Sequence, residues 1–146
     1  TSIDVVYAGN RLYRCAQLLN YGLETRGDFL PSWFVQYFDN ELLEGQTSVD
    51  TTGSLKHPDQ FAGPITRCVI HRRHKFGREN SGSISAGGYT RDVLVEGCVL
   101  PHPLSFIRVD GEAAGVVIRN NSFGTNSPHY EGKRLSDAVV LPVPGH

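Results

Sequence analysis

The chain has 146 residues, 14 Lys+Arg against 15 Asp+Glu for a formal charge of −1, 16 Gly, 8 Pro and no Met. That length suits one domain, the near-neutral charge removes the basic excess expected of a nucleic-acid or anionic-membrane binder, and no apolar run approaches the ~18–20 residues that span a bilayer. The three Cys (Cys15, Cys68, Cys98) include no C-x-x-C pair, which argues against a Cys-built zinc or redox site; three buried thiols acting as small apolar side chains are expected, with one disulfide and one free thiol as the alternative.

Taken in chain order, short β-branched runs recur in one frame: an apolar run, a polar or Gly pair, a small residue, then a large apolar residue. Val5–Leu12 opens the series with its small residue at Asn10, and Ala16–Gly22 supplies a second strand before an insertion over Leu23–Ser32. Val35–Leu42 repeats the frame with Asn40, followed by an insertion over Ser54–Gly63. Ile65–Ile70 fits less well, with Cys68 in the small position. The stretch His71–Gly82 then reads as a basic inserted loop before the strand Ser83–Gly87. Val93–Leu100, with Cys98, and Val116–Phe123, with Asn121, are the best-matched pair, and Leu104–Gly111 lies between them as an alternating strand ending at Gly. The small residue therefore falls at 10, 40, 68, 98 and 121.

No segment carries a sustained i, i+3, i+4, i+7 apolar stripe of helical length. Strand, turn, strand, Gly, strand again at roughly 23 residues is one coil of a solenoid. The expected fold is all-β, a right-handed parallel β-helix of about five coils with inserted loops, over residues 1–126. Residues 127–146, with Pro128, Pro142 and Pro144, are expected to form a tail or cap. The tract from Ile107 to Phe123, reading IRVDGEAAGVVIRNNSF, resembles the repeats of the right-handed parallel β-helix superfamily, which includes pectate lyases. The resemblance implies a carbohydrate-active protein of secreted, extracellular or periplasmic location. On that reading it is an enzyme, or the C-terminal part of one, cleaving glycosidic bonds by hydrolysis or elimination. The alternative is a non-catalytic structural or glycan-binding module, such as a tailspike or adhesion segment. The lyases of that superfamily use Lys or Arg as base and neutralise a uronate, yet none of their motifs matches here residue by residue.

Candidate residues follow from side-chain chemistry and the strand frame. Glycosidases need two carboxyls ~5–9.5 Å apart, and the pairs to consider are Asp39/Glu41 and Glu96/Asp110. His71 is a candidate proton shuttle, and Arg72, Arg73, His74 and Lys75 of the basic stretch are candidates for binding an acidic glycan. The frame puts Ala8, Phe38, Thr66, Glu96 and Arg119 in one outward column one coil apart, which makes Glu96 and Arg119 neighbours and adds Arg119 to the binding set. Trp33, Phe34, Tyr37 and Phe38 form an aromatic group in sequence, and Trp33 and Phe38 are candidates for stacking on sugar rings. The scattered His show no metal-binding spacing, so no metal is assigned. Calcium, common among β-helix lyases, is left open through Asp4, Asp39, Asp50, Asp92 and Asp110. Carbohydrate is the expected partner, with no nucleic acid and no membrane. A chain with no Met, entering a coil at Thr1–Asp4 without a cap, reads as the C-terminal part of a longer, processed β-helix held by a second chain or in a homo-oligomer.

Overall fold

The computed structural model describes residues 3–14, 17–23, 32–46, 48–53, 66–87, 90–124 and 129–141. Successive coils each supply three strands. The first holds β1 (Ile3–Ala8), β2 (Arg11–Leu12) and β3 (Gln17–Leu23); the second β4 (Ser32–Phe38), β5 (Glu41–Gly45) and β6 (Ser48–Gly53). The third holds β7 (Thr66–Arg72), β8 (Lys75–Asn80) and β9 (Ile84–Ala86); the fourth β10 (Thr90–Glu96), β11 (Val99–Leu100) and β12 (Ile107–Val109). The fifth holds β13 (Ala114–Arg119), β14 (Ser122–Phe123) and β15 (Tyr130–Glu131), and a 3-10 turn at Leu135–Asp137 leads into β16 (Val139–Leu141). They assemble into three sheets, β1-β4-β7-β10-β13-β16, β2-β5-β8-β11-β14 and β3-β6-β9-β12-β15, with every pairing parallel. The chain is a parallel β-helix.

Registered stacking makes each position of the coil a column running along the solenoid. In the first sheet Val35, Val69, Val93 and Val116 lie on one another and are buried. Leu42, Phe76 and Leu100 do the same in the second sheet, as do Val49, Ile84 and Ile107 in the third. β-Branched residues suit this role because their stiff χ1 packs well on a pleated surface.

The corner between the first and second sheets is turned by a left-handed residue in every coil, namely Gly9 (φ 67°), Asp39 (56°), Arg73 (54°), Gly97 (64°) and Asn120 (57°). The next residue points inward, giving the row Asn10, Asn40, His74, Cys98 and Asn121. Backbone hydrogen bonds join the row between coils, the N–H of Glu41, Lys75, Val99 and Ser122 each donating to the carbonyl of the preceding row member at 2.8–2.9 Å. Asn side chains complete it. Asn40 Oδ1 accepts from the Asn10 N–H at 2.9 Å, and Asn121 Oδ1 accepts from the Cys98 N–H at 2.8 Å while its Nδ2 donates to the Val95 carbonyl at 3.2 Å.

The structure corrects the third coil. Its corner residue is His74, not Cys68, and the row spacings are 30, 34, 24 and 23 residues. His71–Gly82 is accordingly not an inserted loop: His71 and Arg72 end β7, and residues 75–80 form β8. The outward column is Ala8, Phe38, Arg72, Glu96 and Arg119, with Arg72 in the place expected for Thr66. Residues 129–141, expected as tail or cap, add β15 and β16 to the stack. Residues 24–31 and 54–65, which contain most of both inferred insertions, lie outside the described residues, as does Cys15.

Candidate functional site

The outer face of the first sheet carries a second left-handed column, one that lies within the strands. Phe34 (φ 57°), Cys68 (58°), Asp92 (59°) and Gly115 (66°) stack in register between the paired positions on either side. In β10 both Thr90 and Val93 are buried although three residues apart, so Asp92 is an extra residue that breaks the two-residue alternation. At Gly115 a Cβ would sit 2.8 Å from Asp92 Oδ1 and 3.2 Å from the Asp92 backbone nitrogen, so a side chain there would displace the Asp92 carboxylate. The repeated bulge leaves a groove of about 480 Å³ along the solenoid, within the size range of ligand clefts. Phe34, Cys68, Asp92 and Gly115 form one side; Gln36, Ile70, Leu94 and Val117 form the floor, and Arg119 lies at its edge. Phe34 is 49% exposed.

Beside the groove runs the charged part of the outward column. Arg72 Nε and Arg119 Nε donate to the two oxygens of Glu96 at 2.9 and 3.1 Å. Burial opposes ionisation of Glu96, but the Arg119 and Arg72 guanidiniums outweigh it and hold the carboxyl below its ordinary range. A smaller hollow of about 370 Å³ adjoins this ladder, lined by Arg72, Arg73, Glu96, Gly97 and Asn120. Arg73 grips Asp39 through Nε at 2.6 Å and Nη2 at 3.0 Å. That hydrogen-bonded pairing depresses the Asp39 carboxyl and ties two left-handed corner residues together.

The two members of each expected carboxylate pair have different surroundings. Asp39 is held by Arg73, whereas Glu41, on the other side of Asn40, meets Arg11 at 3.4 Å. Glu96 ends β10 at one corner, while Asp110 follows β12 at the corner leading into β13. The intervening width of the first sheet, at ~3.3 Å per residue, is on the order of 16 Å, too far for glycosidase chemistry. His71 and His74 are also reassigned. Both are fully buried, His71 stacked on Tyr37 with ring centroids 4.9 Å apart and planes at 10°, and His74 with Nδ1 3.4 Å from Asn40 Nδ2. Burial pushes the His71 imidazole well below its usual value and lowers His74 to about 4. They are neutral core groups and cannot touch a substrate on the surface.

Lys75 is exposed and opposite Glu41, on the second sheet. Phe38 is half-buried on the outward column next to Arg72. The aromatic group divides by strand geometry, Tyr37 pointing into the core and Phe34 out into the groove. Trp33 lies in β4 opposite Arg67, and its side chain lies outside the described residues. The groove residues Ile70, Leu94 and Val117 carry no motif, and Phe34 and Asp92 figure in the sequence only within the aromatic group and the open calcium set. The three-residue step from one inward residue to the next is the signal that locates them. Among the described residues no three His, Cys, Asp or Glu converge to hold a metal ion, and no helix is long and apolar enough to cross a membrane. No family model, curated protein or solved structure matches the chain.

Proposed function

We propose that this chain is a glycan-binding β-helix module that takes an acidic carbohydrate along the outer face of its first sheet. The observation that carries this reading is the Arg72–Glu96–Arg119 ladder running beside an apolar groove with the exposed Phe34 ring on its wall. Stacked strands lie ~4.8 Å apart, so the two guanidiniums, two coils apart, are separated by on the order of 10 Å along the axis. A carbohydrate chain laid along the solenoid presents carboxylates or sulfates to Arg72 and Arg119 and the apolar face of a ring to Phe34. Binding is favoured over hydrolysis because the carboxyls of Glu96 and Asp39 are each engaged by arginines that hold them below their ordinary range, the opposite of what a general acid needs.

Calorimetric titration with an oligouronate, a sulfated oligosaccharide and a neutral oligosaccharide tests the reading. Binding of an acidic ligand, weakened about tenfold or more by Arg119→Ala and by Phe34→Ala, is the expected result. Equal affinity of both variants, or no binding of any acidic ligand, refutes the site. Release of reducing ends or of an unsaturated product would replace the binding role with a catalytic one.

A further inference from the structure

The groove has two unlike edges. Along one runs the ladder of Arg72, Glu96 and Arg119. Along the other the bulge column changes coil by coil from the Phe34 ring, through the Cys68 thiol and the Asp92 carboxylate, to the bare backbone of Gly115. Asp92 is exposed and lies four residues before Glu96 in β10, on the order of 13 Å away along the strand. It makes no hydrogen bond or ion pair with any described residue, whereas Asp39, Glu41 and Glu96 each meet an arginine. Gly115 keeps the space beside it open, since a Cβ there would crowd Asp92 Oδ1. One edge of the groove therefore offers donors to an anion, and the other offers a carboxylate that can only accept.

We propose that Asp92 is the specificity-determining residue of this site and selects a glycan in which an acidic sugar alternates with a neutral one. The proposal rests on the glycan-binding reading above and adds which glycan is taken. A carboxylate accepts hydrogen bonds from sugar hydroxyls and opposes a ligand carboxylate brought against it. Arg72 and Arg119 stand two coils apart, on the order of 10 Å, the length of a disaccharide. In a flat, ribbon-like glycan successive rings are flipped over, so the same substituent faces opposite edges in turn. A uniform uronate laid in the groove aims every second carboxylate at the Asp92 edge. An alternating chain keeps all its acids on the arginine edge and turns the hydroxyls of the neutral ring toward Asp92.

Two β-linked oligosaccharides of equal length test this by calorimetric titration, one a uniform oligoglucuronate and the other alternating glucuronate with N-acetylglucosamine. Both are titrated into the wild type, Asp92→Asn and Phe34→Ala. Asn keeps the shape of Asp and tolerates the left-handed backbone, and circular dichroism checks that each variant folds. The wild type is expected to bind the alternating ligand about tenfold or more tighter, although the uniform one carries the greater charge. Asp92→Asn narrows that preference to within about threefold, chiefly by tightening the uniform ligand. Equal wild-type affinities, or a preference that Asp92→Asn leaves unchanged, overturn the role of Asp92; the glycan site itself then still stands if Phe34→Ala weakens binding. No binding of either oligosaccharide overturns the site and this inference together.

Discussion

Lowering the pH from 7 to 5 destabilises the fold by about 2 kcal/mol through His74 alone. In the unfolded chain the imidazole titrates at its ordinary 6.5, whereas burial lowers it to about 4 in the fold, only partly opposed by Asp39. Above pH 6.5 both states are neutral and the contribution to stability is complete. As the pH falls below 6.5 the unfolded state binds a proton that the folded state refuses, so stability declines, and it levels off below the folded value near 4. The full difference, at 1.36 kcal/mol per unit, is about 3 kcal/mol, of which about 2 kcal/mol is expressed by pH 5. His71, lowered chiefly by burial, adds loss of the same sign. The groups around His74 do not blur the window. Asn40 does not titrate, burial pushes the neighbouring Cys98 thiol up to about 12, and Asp39 and Glu96 are held below the ordinary carboxylate range and stay charged.

The assay is urea denaturation at pH 7, 6 and 5 for the wild type and His74→Asn. An Asn continues the row of Asn10, Asn40 and Asn121, and the smaller side chain costs about 1 kcal/mol of packing at pH 7. The drop in stability from pH 7 to pH 5 shrinks by about 2 kcal/mol in the variant, which is roughly 6 °C in melting temperature for a domain of this size. An unchanged drop would refute the reasoning, since it would show that His74 binds its proton equally in both states.

Two further substitutions probe the coil itself. Asn121→Ala removes the acceptor of the Cys98 N–H and the donor to the Val95 carbonyl, both buried, and is expected to cost about 2–3 kcal/mol in denaturant unfolding, with faster thiol labelling of Cys98. Gly124→Ala drives its Cβ into the Pro101 carbonyl of the neighbouring coil, a rigid contact, for about 2–3 kcal/mol. Gly97→Ala meets only the Arg73 side chain at 3.5 Å and pays left-handed strain alone, about 1 kcal/mol; a reversed order of the two glycine variants in thermal unfolding would contradict the stacking geometry.

The coil was legible where two consecutive turns have equal length. Val93–Leu100 and Val116–Phe123 differ by 23 residues, and their structural register is the one their alignment gives. It was illegible in the third coil for two physical reasons. The step from Asn40 to His74 is 34 residues, so the period stretches where the frame was weakest. The corner residue before His74 is Arg73, which adopts left-handed backbone without being Gly or Asn and is held there by Asp39 one coil away, a contact no local pattern announces. Cys68 mimicked a corner because it is a small residue after a β-branched run, whereas it lies at the left-handed bulge within the strand. From that slip came both the basic loop that is not a loop and the placement of Thr66 where Arg72 belongs. The Glu96–Arg119 contact survived because it lies within the well-framed coils.

The same column logic separates what holds the fold from what the surface offers. Burying a valine such as Val69 or Val93 contributes roughly 1.5–3 kcal/mol, repeated at every coil. The Arg72–Glu96–Arg119 ladder is partly exposed, its arginine side chains 36% and 41% accessible, and such pairs contribute about 0–1 kcal/mol each. The ladder is therefore dispensable to the coil, whose stacking is complete without it. What Glu96 does is electrostatic spacing. It stands between two cations that would otherwise face each other along the column with nothing between them, and it leaves each guanidinium with donors beyond the one spent on Glu96. An anion approaching the outer face meets those remaining donors next to an apolar groove, in a geometry fixed by sheet register and not by flexible loops. That is why the site can be preorganised for binding while Glu96 is already engaged.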